Sequence, residues 1–395
     1  PVFSSRYAGR KRLAGNRDRV PGKKVRCPGG YLAFVPDPLP PELAWKAELV
    51  SALSDADRLI GRLAGEGGKL RNPHLLMRPF LAREAVLSSR IEGTQATLGE
   101  LLADEAGAHV ERSPHDLREV ANYVVALEHG LRRLKKLPMS LRLIREVHGK
   151  LMAGVRGNVA TPGEFRRSQN WIGQAGSTPA TATYIPPPPA EMTACLGDLE
   201  RFLHEKVLPP LVQVALVHYQ FEAIHPFLDG NGRVGRLLVT LFLVERGILP
   251  TPLLYLSAFF EATRREYYEG LQGVSDRGEW ERWLGYFLNG VARQSEDALG
   301  RAERINRQLS AWRLETAGIS SKTPALLLER ISANPFQTVG KAARELGMAF
   351  TTVQRAMEKL ESLSIVTEVS GGKRDRVYCA MELMKILEEP AKLAP

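Results

Sequence analysis

Cysteine is scarce in this chain: Cys27, Cys195 and Cys379 are its whole complement across 395 residues. They are odd in number, far apart, and without metal-ligand spacing. That excludes a disulfide framework and a cysteine-based zinc site, and fits unpaired thiols in a reducing compartment. Long apolar runs are missing too. The longest, such as Leu237 to Val244, fall far short of the roughly 20 residues a membrane helix needs, so no membrane partner is expected. No apolar core of a signal peptide follows the N-terminus, so a cytoplasmic location is expected. There is no internal repeat and no long low-complexity segment.

Acid is scarce at one end. Residues 1–26 hold nine basic groups and a single acid, Asp18, which is +8 of the chain's net +10. The high pI therefore describes a tail rather than a basic fold. Residues 1–30 read as a basic, flexible tail, which either touches nucleic acid or another polyanion or is a solvated end.

The length implies two or three domains, and the apolar spacing is mainly helical. After an extended, proline-stiffened strap at Phe34–Pro41, residues 43–63 carry apolar side chains at helical spacing, with Gly65-Glu-Gly-Gly68 as the stop. A second helix is expected from about Met77 to Glu92, capped by Gly93 in the left-handed region. Ser88 and Glu92 lie four apart, on one face of it. Thr97-Leu-Gly-Glu100 has capping-box spacing. Helices are expected again over 115–133 and 140–155. Between Gly163 and Pro189 the texture turns to Gly, Ser, Thr and Pro, which reads as a β-hairpin with a mobile tip. Pro209 or Pro210 opens the next helix, Gly247 and Pro250 close the one after it, and more helices run to about Trp312. Residues 320–395 read as a separate unit: three helices, then two strands about Gly371-Gly372, a winged helix-turn-helix.

Between two apolar helices lies His225-Pro-Phe-Leu-Asp-Gly-Asn-Gly-Arg-Val-Gly-Arg236. Gly230-Asn231-Gly232 at a helix start exposes backbone N–H groups and the positive end of a helix dipole, an anion site. Arg233 and Arg236, three apart, clamp phosphate oxygens from one face. Asp229 offers a carboxylate to a Mg²⁺ that bridges phosphates. His225 can take a proton from an attacking hydroxyl near physiological pH. Taken singly these features are bland, since His-Pro is usually structural and Gly-Asn-Gly is a turn. Together they fit one polyphosphate site. His218, on the same helix as His225, reads as a packed or hydrogen-bonded histidine.

The dodecamer resembles the Fic (Fido-fold) signature, His-Pro-Phe-x-Asp/Glu-Gly-Asn-Gly-Arg-x-x-Arg, at every defined position. Ser88-Ser-Arg-Ile-Glu92-Gly93 resembles the inhibitory motif of that family, and Pro162–Gly173 with Tyr184-Ile-Pro-Pro resembles the segments around its flap. The likeness covers roughly residues 30–300. It implies a mainly α fold: an N-terminal helical region with the inhibitory helix (31–112), a catalytic core with a small β-hairpin flap (113–315), and the winged helix-turn-helix (320–395). It implies protein adenylyltransfer from ATP with Mg²⁺ to a Ser, Thr or Tyr hydroxyl of a target protein, or of the chain itself. His225 is then the base, and Asp229 the metal ligand. Asp229, Gly230, Asn231, Gly232, Arg233, Val234, Gly235, Arg236, Tyr267, Tyr268 and Glu92 form the nucleotide site. Ser88 and Glu92 are the inhibitory pair, Glu92 closing on Arg236, and Thr183 and Tyr184 are the flap that holds the target segment.

The resemblance also allows AMP removal, or transfer of UMP or phosphocholine, at the same site, and a homodimer. A different class is a DNA-binding regulator acting through 320–395. That unit holds eleven basic and nine acidic groups, a modest +2 for a DNA reader, with Thr351, Thr352, Gln354, Arg355 and the Lys373-Arg374-Asp-Arg376 wing placed for phosphates.

Overall fold

The structure, a computed structural model, describes residues 20–69, 73–111, 114–155, 161–174, 176–372 and 375–391. Most of the basic tail, and Lys373 and Arg374 of the expected wing, lie outside the described residues.

The chain starts with a hairpin where a tail was expected. Strand β1 (Gly22–Arg26) pairs antiparallel with β2 (Leu32–Pro36) in the register Gly22↔Pro36 to Arg26↔Leu32. Its turn passes through Gly29 and Gly30, both at positive φ, a backbone that other residues adopt at a cost. Part of the expected proline strap is therefore strand β2, whose Phe34 N–H also donates to Ile185 O at 2.8 Å.

Helix α1 (Ala47–Lys69) runs straight through the glycines expected to stop it. The cause is packing. α1 lies along the longest helix, and at Gly67 an added Cβ would come within 2.9 Å of Leu253 Cδ1. That glycine admits a neighbour; tertiary contact here outweighs helix propensity. Next come α2 (Pro73–Ile91), α3 (Leu98–Glu105), α4 (Pro114–Leu134) and α5 (Leu141–Leu151). Gly93 follows α2 at φ +100°, and Thr97 and Glu100 form the expected capping box at α3. Helices α6 (Pro189–His204), α7 (Pro210–Ile224) and α8 (Asn231–Glu245) lead through the motif loop. Every α7 residue from Leu211 to Ile224 is buried except Glu222, so this helix has no solvent face and forms the centre of the core. Three more, α9 (Ser257–Ala262), α10 (Arg264–Arg277) and α11 (Trp280–Thr316), complete the helical body.

The last stretch contains α12 (Thr323–Ala333), β3 (Phe336–Thr338), α13 (Val339–Leu346), α14 (Phe350–Ser362), β4 (Thr367–Glu368), β5 (Val377–Cys379) and α15 (Met381–Glu388). Its strands form an antiparallel sheet in the order β3-β5-β4. Strand β3 and helix α15 add to the sequence reading. The stretch shares its core with the rest: Leu327, Leu328 and Ile331 belong to the same apolar cluster as Leu81, Ala85 and Leu102. Polar contacts reinforce the join. Asn334 Nδ2 donates to Leu102 O at 2.9 Å, Thr338 Oγ1 to Ala106 O at 2.8 Å, and Arg83 Nη2 to Glu389 O at 3.3 Å. Periodicity tells which face of a helix is buried but not against what, which is why 320–395 read as a unit apart.

Candidate active site

α7 ends at His225, whose backbone is left-handed at φ 48°, ψ 61°. The chain turns through Pro226–Asp229 and enters α8 through Gly230, also left-handed at φ 78°. His225 Nδ1 faces Glu222 O at 3.3 Å. A carbonyl only accepts, so Nδ1 carries the proton and Nε2 is left with its lone pair. Burial pushes the imidazole down to about 4, so it is a neutral base at physiological pH.

Asn231 does something other than expected. Its side chain is buried, Oδ1 accepts from Phe227 N at 2.8 Å, and Nδ2 donates to Phe227 O at 2.8 Å. Both polar atoms thus tie the loop to itself, and the buried side chain braces it. Val234 is fully buried in the core. Gly235 serves the α7–α8 contact: its carbonyl lies 3.1 Å from His218 Nδ1, and an added Cβ would meet Glu222 Oε1 at 2.2 Å. Successive helix residues are rotated by about 100°, so Val234 and Gly235 point away from Arg233, Val234 into the core and Gly235 against α7.

The guanidinium of Arg236 is buried and held by α2. Nε donates to Ser88 Oγ at 2.8 Å, and Nη2 donates to Ser88 O at 2.9 Å and to Glu92 Oε1 at 2.6 Å. The pairing of Glu92 with Arg236 expected from the sequence is present, and Ser88 completes it. Burial alone would raise the Glu92 carboxyl. The charge and hydrogen bond of Arg236, with Arg233 and His225, override that and hold it below the usual carboxylate range. Gly232 makes the approach possible, because a Cβ there would lie 2.3 Å from Glu92 Oε1. The carboxylate therefore sits against the first turn of α8, where an anion is favoured. Arg233 is buried beside it, 3.4 Å from Glu119 Oε2 and 3.5 Å from Asp229 Oδ1. Asp229 is half-exposed, and its Oδ1 also accepts from Gly230 N at 2.5 Å. Among the described residues no group of three or more His, Cys, Asp or Glu is placed to hold a metal.

Tyr267 and Tyr268 part ways. Tyr267 is buried, with its hydroxyl 2.9 Å from His218 Nε2. Since His218 Nδ1–H donates to Gly235 O, Nε2 accepts from Tyr267. Both belong to the core, where Tyr267 is 1% exposed. Burial pushes His218 down to about 3. Tyr268 is 43% exposed with Arg264 over its ring, and lies within electrostatic reach of Glu92 and Arg236.

The expected hairpin is reduced to one antiparallel bridge, Ile172↔Tyr184. Ile172 N donates to Tyr184 O at 2.8 Å, and Thr183 N to Ile172 O at 2.8 Å. The prolines from Pro186 onward cannot donate to a ladder, so pairing stops there. Tyr184 is anchored by its hydroxyl on Ala223 O at 2.8 Å, and Thr183 is exposed. A groove of about 800 Å³ lies between the β1–β2 turn, residues 178–185 and α10, and none of the residues from His225 to Arg236 lines it. On α14, Thr351, Thr352 and Arg355 are exposed and Gln354 is half-buried.

Several site residues escaped the sequence reading. His148 on α5 accepts from Gly163 N at Nδ1 (2.9 Å), leaving Nε2–H to donate to Asp229 O at 3.0 Å, and its ring stacks on Phe227 at 3.7 Å. Its signal was a histidine on an otherwise apolar helical face. Glu222 is pushed up to about 8 by burial, and among the described residues its Oε1 has no hydrogen-bond partner. Arg166 and Asn170 reach the loop from the flap side, and nothing in the composition marked them.

Residues 50–132 match the family described as Fic/DOC family N-terminal, and residues 138–243 match the Fic/DOC family. Over 166 residues, 40% of the chain, it is 31% identical to the protein adenylyltransferase Fic of Drosophila erecta and 30% identical to that of Drosophila melanogaster. The chain spans 31% and 32% of the length of those relatives. In fold it is similar to the crystal structure of a Fic family protein from Desulfovibrio desulfuricans G20. That likeness has a TM-score of 0.58 at 20% identity and covers 87% of this chain and 98% of the other.

Proposed function

The chain belongs to the Fic/DOC family, and from that premise we propose that it is a protein adenylyltransferase held in check by its own Glu92. The observation that carries this reading is the convergence on α8. A neutral imidazole and two arginines surround a helix N-terminus, and an internal carboxylate already stands where a phosphate would be bound.

In the reaction, Nε2 of His225 takes the proton of a Ser, Thr or Tyr hydroxyl on a target protein. The oxygen forms a bond to the α-phosphorus of ATP, the bond to the β-phosphate oxygen breaks, and pyrophosphate leaves. Arg233 and Arg236 hold phosphate oxygens, and the first turn of α8 supplies backbone N–H donors. Asp229 is one half-exposed carboxylate without a cluster around it. That fits Mg²⁺, which keeps most of its waters and is held chiefly by phosphates, and when bound it neutralises their charge. Arg236 cannot satisfy Glu92 and a phosphate together, so Glu92 leaves before transfer. Tyr268 lies beside this pocket as a nucleoside contact. Thr183 and its neighbours present an extended target segment by strand addition. The exposed face of α14 leaves DNA contact as a second role for the C-terminal stretch, whose element order is that of a winged helix.

The test is incubation of the wild type and of Glu92→Gly with labelled ATP and a cell lysate, followed by mass spectrometry. The expected product is an AMP adduct on a hydroxyl side chain, more abundant with the variant. A different mass shift, or none with either protein, overturns the reading.

A further inference from the structure

Arg166 stands just after Gly163 and is 2% exposed. Its Nε donates to His225 O at 2.9 Å, Nη1 to Ser168 O at 3.1 Å, and Nη2 to Pro187 O at 2.5 Å and Ile224 O at 3.4 Å. Its backbone N–H donates to Pro226 O at 2.9 Å. Among the described residues no carboxylate pairs with it. A buried guanidinium usually needs a counter-ion, because desolvation costs several kcal/mol per ion. Here four carbonyl dipoles take that place and leave the charge unneutralised.

Two of those carbonyls are the last of α7, groups without an intrahelical partner at the negative end of the helix dipole. One belongs to His225, whose left-handed backbone is strained for a residue with a Cβ and persists only if its surroundings hold it. Asn170 helps, with Nδ2 at 3.4 Å from His225 O and 2.8 Å from Phe227 O.

We propose that Arg166 is a positioning residue for His225, fixing the left-handed backbone of the base and setting an unpaired positive charge against its carbonyl. This rests on the reading of His225 as the base. The charged groups facing His225 are Arg166 from the flap side, Glu92 from α2, and Asp229 from its own loop. The carbonyl of Glu222 accepts from its Nδ1. Burial lowers the imidazole most; Arg166 adds to that, while Glu92, Asp229 and the Glu222 carbonyl oppose it. Arg166 thus sets both where the base sits and whether it is free.

The experiment uses the full chain with ¹⁵N-labelled histidine, and His225 is assigned by comparison with His225→Ala. In Arg166→Gln the proton-binding constant of His225 rises severalfold, while thermal melting reports a folded protein. In Asn170→Ala, which loses contacts but no charge, it stays put. Arg166→Lys covers the case in which Gln fails to fold. The ring then titrates as in the wild type, but AMP transfer measured in the Glu92→Gly background falls about tenfold, since one ammonium cannot span four carbonyls. Unchanged titration in a folded Arg166→Gln, or wild-type transfer by Arg166→Lys, overturns the proposal. The titration arm stands even if the chain transfers no AMP, so failure of the functional reading is recognised separately.

Discussion

The loop from His225 to Arg236 and the segment from Gly163 to Pro187 face one another across the site, but they are held by opposite means. The loop is tied from within and from below. Asn231 braces Phe227, His148 holds the Asp229 carbonyl, and α2 grips Arg236. Among the described residues the segment is pinned to the rest of the protein near its ends, by Arg166 and Asn170 on one side and by Tyr184 and the β2 contact at Ile185 on the other. Between them lie one bridge, the Trp171 Nε1–Ser177 O hydrogen bond and a turn about Thr178–Thr181. The contrast teaches where the proposed function requires order: on that reading the donors to a phosphate cannot drift, whereas a surface proposed to accept a peptide strand keeps backbone groups free for it.

The comparison can be broken most strongly at the base. His225→Ala is expected to lower AMP incorporation from labelled ATP by about 10²–10⁴-fold, the usual range for a general base, with the melting temperature nearly unchanged; activity near wild type would remove His225 from the chemistry. Asn231→Ala deletes two buried hydrogen bonds and leaves the Phe227 N–H and carbonyl unpaired, so a loss of about 2–4 kcal/mol in denaturant unfolding is expected. Glu92→Gly frees Arg236 and should tighten ATP binding by about tenfold or more in calorimetry; an unchanged affinity would sink the lock.

Acidity sharpens the picture of the loop. Burial holds His148 and His225 near 4 and His218 near 3. Their unfolded values lie near 6.5, so below that the unfolded chain binds more protons. Stability from these histidines is full above pH 6.5 and drains as pH falls through about 4. Glu84 and Glu222, pushed by burial to about 7 and 8, act the other way. Their contribution is present below the unfolded carboxylate value and is lost as pH rises through 7 to 8. Chemical denaturation across pH should therefore peak between these limbs, with Glu222→Gln flattening the alkaline one. The smallest effect belongs to the segment: Thr181→Ala should cost within about 0.5 kcal/mol, as exposed loop changes do, and a larger loss would show that the tip is held like the loop.

The motif was legible because its chemistry is carried by residue types at fixed spacing, and Glu92 was legible as its partner through a second motif. What the sequence could not tell was facing. Val234 and Gly235 sit between Arg233 and Arg236 in the chain, yet Val234 is buried in the core and Gly235 meets Glu222 and His218 of α7. Tyr267 and Tyr268 are neighbours, but one completes the His218 pair in the core and the other meets solvent. Asn231 has the chemistry of a phosphate ligand, and only the closeness of Phe227 diverts it. At Gly65–Gly68 a stop signal was overruled by Leu253 and α11. In each case the deciding partner lies far away in sequence, where no local pattern reaches.

On the proposed reading, the contact of Glu92 with Arg236 makes the chain carry its own competitor on a tether. Such a competitor cannot be diluted or washed out, and its effective concentration is set by α2 rather than by the cell. If the tether is closed 99% of the time, half-saturation with nucleotide needs about a hundredfold more of it, equal to about 2.7 kcal/mol. Whatever pulls α2 aside, through the C-terminal stretch packed on its back or through the target itself, has only that sum to supply.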